Sequence, residues 1–112
     1  MMRTVEIHAQ ARQVIRSFSK VVRREVGEAL MKLQLGMSLG LPVSRPMPSV
    51  YPGAHELRFR DASGIQRVFY YLGSIKGILV FHAFVKMTQK TPQREIKLAR
   101  NRLTEMLDDE KK

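Results

Sequence analysis

The chain has no cysteine. That absence excludes disulfides, thiolate catalysis and every thiolate zinc site. Three histidines, His8, His55 and His82, are scattered without metal-ligand spacing, so no metal and no cofactor is expected. Long apolar runs are missing as well. No stretch approaches the roughly 18 consecutive apolar residues that a membrane span needs. The N-terminal region lacks the continuous apolar core of a secretory signal. The expectation is a soluble, cytoplasmic protein with no membrane partner. Acids are scarce: 10 Asp plus Glu stand against 20 Lys plus Arg, for a formal charge of +10. Such an imbalance points to an anionic partner, either nucleic acid, an anionic surface or an acidic protein. Any chemistry must come from bases, acids and cations.

With 112 residues the chain has room for one domain, taken as 1–112, with a real core and no need of staples. Residues 3–7 (RTVEI) alternate polar with β-branched side chains and suit a short first strand. Ala11, Val14, Ile15 and Phe18 recur at helical spacing. Ser19 then caps a second helix whose apolar face is Val22, Val26, Ala29, Leu30 and Leu33, with Gly36 at the expected C-terminal cap. Residues 36–55 hold four of the five prolines and read as a long surface loop, from which Arg45 and Tyr51 could reach a partner.

Beyond the loop lie three strand candidates, HELRFR, IQRVFYYL and ILVFHAFVK, separated by DASG and GSIKG. Spacings this short predict an antiparallel meander. Because strand side chains alternate between faces, Leu57 and Phe59 point one way and Glu56, Arg58 and Arg60 the other. On the next strand Val68, Tyr70 and Leu72 are expected to face the core, leaving Arg67, Phe69 and Tyr71 with the arginines. On the third, Leu79, Phe81, Ala83 and Val85 form the expected inward set, leaving His82 and Lys86 with the cations. The face opposite the first two helices is therefore expected to be basic and interleaved with aromatics. A last helix begins near Pro92, with Thr91 as its cap and Ile96, Ala99, Leu103, Met106 and Leu107 as its apolar stripe. Arg94, Lys97, Arg100 and Arg102 flank that stripe and extend the basic surface.

Two series in order, HELRFRDASGIQRVFYYL and FHAFVKMTQKTPQREIKLARNRL, resemble the RelE/HigB-type toxins of type II toxin-antitoxin systems, in the phage-related branch of the RelE/ParE superfamily. The resemblance spans roughly 19–107. Its most specific elements are the L-R-x-R strand, the arginine ahead of an aromatic pair on the next strand, and F-V-K-x-T-Q-K-T-P running into an A-x-x-R-L helix. None has the strength of a metal-binding motif, but they fall together and in sequence.

The resemblance implies an α+β fold: a small antiparallel β-sheet with two N-terminal helices packed on it and a C-terminal helix. It also implies a metal-independent, ribosome-dependent endoribonuclease, an mRNA interferase that inhibits translation. In such enzymes the 2′-hydroxyl beside the scissile phosphate attacks it and leaves a cyclic phosphate. Charge gathers on the phosphoryl oxygens in that transition state, and without a metal it has to be met by fixed Arg and Lys. Arg67 matches the family's strand arginine at the scissile phosphate. Arg58 and Arg60 match basic positions on the preceding strand, Lys86 matches the cation ending the last strand, and Lys90 belongs to the polar knot after it.

Several relatives carry a Tyr or His near the C-terminus for proton transfer, whereas this chain has neither after Lys86. His82 and His55 are the histidine candidates for that task, each set against a plain structural role. Tyr71 is a candidate for stacking an RNA base. Arg94, Lys97 and Arg100 are candidates for tracking the RNA backbone. The implied partners are mRNA and the ribosome, together with a cognate antitoxin encoded next to the gene and carrying a helix-turn-helix DNA-binding domain. Two other classes fit the same features: a ParE-like toxin that binds gyrase, and a nucleic-acid-binding module without catalysis.

Overall fold

The computed structural model describes residues 2–86 and 90–111. Among them the elements run β1 (Val5–Ile7), α1 (Ala9–Arg16), α2 (Lys20–Gln34), β2 (Ser44–Pro46), β3 (Ala54–Asp61), β4 (Gly64–Ser74), β5 (Gly77–Lys86) and α3 (Gln93–Asp109). The fold class expected from the sequence is borne out. The five strands form one sheet in the order β1-β5-β4-β3-β2, antiparallel throughout except for the β1–β5 pair. That parallel edge was not foreseen, and Gly77 marks where it docks. Its φ is +120°, and a Cβ there would lie 2.5 Å from the Thr4 carbonyl oxygen, so only glycine fits without displacement.

The helices start and stop as their residues dictate. The Ser19 side chain accepts the Val22 amide at 3.2 Å, and Gly36 closes α2 with a positive φ of 85°. At α3 the expectation is corrected: Pro92, not Thr91, is the N-cap residue, and it offers no side-chain cap. Thr91 instead accepts a bond from the Lys86 ammonium at 3.3 Å.

Val22, Val26, Leu30 and Leu33 of α2, with Ala11 of α1, pack on one face of the sheet against Leu57, Val68, Tyr70, Ile78 and Val80. An eight-residue helix such as α1 is too short to persist alone and is held by this burial. The other face, expected to be basic and interleaved with aromatics, is covered. Ile96, Ala99, Leu103 and Met106 of α3 cover it over Phe69, Leu79, Phe81 and Phe84, with Met47 and Val50 closing the side. Burying each such aromatic or aliphatic side chain stabilises by about 1.5–3 kcal/mol, enough to hold α3 down.

A bulge on β5 explains the second difference. Phe69 is opposite His82 but Tyr70 is opposite Val80, so Phe81 is an extra residue in the ladder. The alternation flips there. Leu79 and Phe81 lie on the α3 side, and so do His82 and Phe84 beyond the bulge, while Ala83 turns toward α2. The expected inward set of Leu79, Phe81, Ala83 and Val85 is therefore divided between the two faces, and Val85 is exposed. The third difference is β2, three residues inside the proline-rich stretch that pair with β3.

Candidate functional site

The ladders bring basic residues from several strands onto the α3-facing side of the sheet. Arg58 lies directly across from Arg67, Arg45 across from Glu56, and Lys86 across from Ile65, which stands near Arg67 along β4. Opposed residues on one face have Cβ atoms about 5 Å apart, so like charges in such a pair need a counter-charge. Glu56 supplies it. Its Oε1 receives Arg45 Nε at 3.0 Å and Arg67 Nη1, and Arg58 Nε stands 3.8 Å away.

This cluster lies deep. Glu56 and Arg67 are both at 0% exposure and Lys86 at 5%, whereas the side chains of Arg45 and Arg58 retain 34% and 27%. One carboxylate thus serves three cations, and its charge also reaches Lys86. Donor capacity is left over: Nε and Nη2 of Arg67 and Nε of Arg58 have no hydrogen-bond partner among the described residues, and neither does Glu56 Oε2. Burial pulls the Arg67 guanidinium below its usual range, opposed by Glu56 and reinforced by Arg58 and Arg45. Lys86 is pulled down to about 8 by burial and then by Arg67, with Glu56 opposing and Arg45 and Arg58 adding to the fall. A lysine in that range exchanges protons near neutral pH.

Of the residues expected at the site, Arg58, Arg67 and Lys86 come together, and Arg60 continues the same face as an exposed cation across from Ile65. Lys90 is exposed after the knot, whose residues 87–89 lie outside the described residues.

His82 does not join them. Its Nδ1 accepts from Arg102 Nη1 at 2.7 Å, which leaves the proton on Nε2, and that atom donates to Glu95 Oε1 at 2.7 Å. Both ring nitrogens are engaged and the ring is 2% exposed. Burial pulls its pKa down, with Glu95 opposing and Arg102 and His8 adding to the fall. This is the geometry of a pin between β5 and α3. His55 is on the other face of the sheet, across from Tyr70 and stacked on it at 5.2 Å.

Tyr71 is four residues along β4 from Arg67. It packs edge-on against Tyr51 at 5.6 Å, beside the acidic end of α3 at Asp108 and Glu110. Arg100 is a clamp, with Nε on the Val50 carbonyl at 3.1 Å and Nη2 on the Ser49 carbonyl at 2.7 Å. Arg94 and Lys97 are exposed on α3.

Sequence reasoning missed the part Arg45 plays. It saw Arg45 only as a loop residue, since nothing in S-R-P announces a strand. Pairing of that tripeptide with β3 is the signal that would have put Arg45 opposite Glu56. Arg102, read from the sequence as a flanking cation of the basic surface, instead joins His82 to Gln10, with a 2.7 Å bond to each.

Comparison with known proteins fits this architecture. A family model described as "Phage derived protein Gp49-like (DUF891)" matches residues 13–104. The chain belongs to this Gp49-like family. The solved structure of a double arginine-to-alanine mutant of the E. coli toxin RelE in the free state is similar to the Gp49-like chain, with a TM-score of 0.62 and 16% identity, covering 96% of this chain and 100% of that one. No curated protein in the comparison matches it. Family and fold agree with the resemblance read from the sequence: the fold is RelE-like and the family is a phage-derived one. Among the described residues no helix is long and apolar enough to cross a membrane.

Proposed function

We propose that this chain is the toxin of a type II toxin-antitoxin pair and cleaves messenger RNA on the ribosome without a metal. The observation that carries the reading is the cluster itself: Arg45, Arg58 and Arg67 share one carboxylate, Lys86 lies within its electrostatic reach, and Arg67 keeps two donors with no partner among the described residues. Such a cluster attracts a second anion, and guanidinium forks match the oxygens of a phosphodiester.

In the reaction the 2′-oxygen bonds to phosphorus, the bond from phosphorus to the 5′-oxygen breaks, and a cyclic phosphate and a 5′-hydroxyl result, the leaving oxygen taking its proton from water. Fixed cations stabilise the charge that grows on the non-bridging oxygens. Arg67 supplies that charge at the floor of the site and Arg58 with Arg45 at its rim. Lys86, down to about 8 and within the same cluster, takes the 2′-hydroxyl proton in its neutral form. The engaged nitrogens of His82 and the opposite face occupied by His55 leave Lys86 as the group best suited to this step. The exposed cations Arg60, Lys90, Arg94 and Lys97 add ground-state attraction for the RNA backbone.

A toxin of this kind requires a partner that silences it. We expect an antitoxin encoded beside the gene, carrying a helix-turn-helix domain and binding faster at low salt because exposed charges steer the encounter. The test is expression without that partner, followed by primer extension on cellular transcripts. New message ends are expected as growth stops. Growth arrest with unchanged transcripts would point instead to a gyrase-binding toxin, and unchanged growth would remove the toxin reading.

A further inference from the structure

We propose that Glu56 is a positioning residue of the site: its carboxylate draws Arg45, Arg58 and Arg67 from three strands to one point and so presets the cradle that a phosphodiester enters. The claim rests on the RNA-cleavage reading above, but part of its test is independent of cleavage.

A carboxylate with no exposed surface is costly to bury, and the desolvation penalty amounts to several kcal/mol. Glu56 lies across from Phe69 in the ladder, on the face that also carries Phe81, Phe84, Arg58 and Arg67. What the charge does is converge cations that would otherwise repel. Arg58 and Arg67 are direct cross-strand neighbours, and Arg45 is across from Glu56 itself on β2. All three guanidinium groups approach Oε1, and Oε2 has no hydrogen-bond partner among the described residues. Glu56 therefore takes Nη1 of Arg67 and leaves Nε and Nη2 as buried donors with no partner among the described residues.

Glu56 also acts on Lys86. The groups facing that ammonium are Arg67 on β4, Arg58 and Glu56 on β3, Arg45 on β2 and the Thr91 hydroxyl after β5. Among the described residues, Glu56 is the acid that opposes these cations at Lys86. Removing it leaves the neighbouring cations unopposed, and the Lys86 ammonium must give up its proton at lower pH.

The experiment compares the full-length protein with Glu56→Gln, which keeps shape and removes charge, and Glu56→Asp, which keeps charge and shortens the reach. Two quantities are read: the titration of the Lys86 ammonium by NMR, and single-turnover cleavage against pH on programmed ribosomes. In Glu56→Gln we expect Lys86 to titrate below the parental midpoint and the rise of rate with pH to move the same way. The plateau rate should fall by about 10²-fold, the scale of a roughly 1 Å misplacement of catalytic groups, with ribosome binding retained. In Glu56→Asp the titration should return toward the parental value while the rate stays depressed, because the charge is back but its position is not.

Parental titration and parental rate in a folded Glu56→Gln protein would overturn the proposal. Should Glu56→Gln fail to fold, Glu56→Asp decides: cleavage at the parental rate overturns it and a depressed rate in a folded protein upholds it. Should the parent itself not cleave, the function reading fails, and the Lys86 titration still decides whether Glu56 organises the cluster.

Discussion

Glu56 and Arg67 form an ion pair on adjacent strands in which neither side chain has any exposed surface. They are diagonal neighbours, since the ladder sets Glu56 opposite Phe69 and Arg67 opposite Arg58. An isolated buried pair is weak support for stability, because desolvation offsets most of the attraction, but breaking one by removing a single partner is expensive. The pair is therefore a fixed part of the sheet, and Arg67 keeps two buried donors with no partner among the described residues. Structural and chemical roles meet in Arg67, and they can be separated by measurement.

Arg67→Ala leaves Glu56 in the sheet with one close partner fewer. We expect a loss of about 3 kcal/mol in unfolding free energy, seen as a lower denaturant midpoint with an unchanged slope. Arg67→Lys should recover part of it, because the charge returns without the planar fork. Equal stability of Arg67→Ala and the parent would mean that the pair holds nothing together.

The pinned tautomer of His82 fixes the sign of a pH effect. A histidine whose folded pKa is depressed stabilises the fold above its ordinary value, 6.5 here, and that contribution is lost as pH falls below it. A second proton on Nδ1 would meet Arg102, and only Glu95 would favour it, with His8 nearby on the unfavourable side. Stability should therefore drop between pH 7 and 5. His82→Gln, whose amide can still accept from Arg102 and donate to Glu95, should flatten that part of the profile while cleavage persists. A steep profile in the variant would assign the pH effect elsewhere.

The cations of α3 should divide into two kinds. Arg94 and Lys97 are exposed, so replacing either by Ala should weaken RNA binding and reduce the slope of log affinity against log salt by about 1 for each phosphate left without its cation. Arg100 clamps the carbonyls of Ser49 and Val50, so Arg100→Ala should loosen that segment and lower stability. Amide exchange at Val50 against filter binding over a salt series distinguishes the two outcomes. A change in salt slope for Arg100→Ala equal to that for Lys97→Ala would show that Arg100 binds the RNA backbone after all.

Much of this was legible in the sequence, and what was missed has definite causes. Helical spacing from Ala11 to Leu33 and the Ser19 cap identified α1 and α2, since both signals are local. Period-two alternation put Glu56, Arg58, Arg60 and Arg67 on one face because β3 and β4 pair without irregularity over those residues. The same rule failed on β5, where the extra Phe81 reverses parity and no local residue announces it. Nor does alternation say whether α3 folds back over Phe69 and Phe84, which is a long-range matter. Arg45 was read as a loop residue because Pro46 and the neighbouring prolines argue against a strand, yet at a sheet edge proline is tolerated. His82 looked like a proton carrier from its type alone, and its partners Arg102 and Glu95 are distant in the chain.

The central claim is that this cluster, with Arg67 at its floor, stabilises charge that forms only in the transition state of RNA cleavage. Single-turnover reaction on programmed ribosomes, with product ends analysed and complex formation assayed separately, tests it most directly. The parent is predicted to give fragments ending in a cyclic phosphate, with a rate that rises through a midpoint of about 8 set by Lys86. Arg67→Ala, folded at the assay temperature, is predicted to bind nearly as well and to cleave about 10²-fold more slowly or worse. Bound but intact RNA with the parental protein, or parental cleavage by Arg67→Ala, would contradict it.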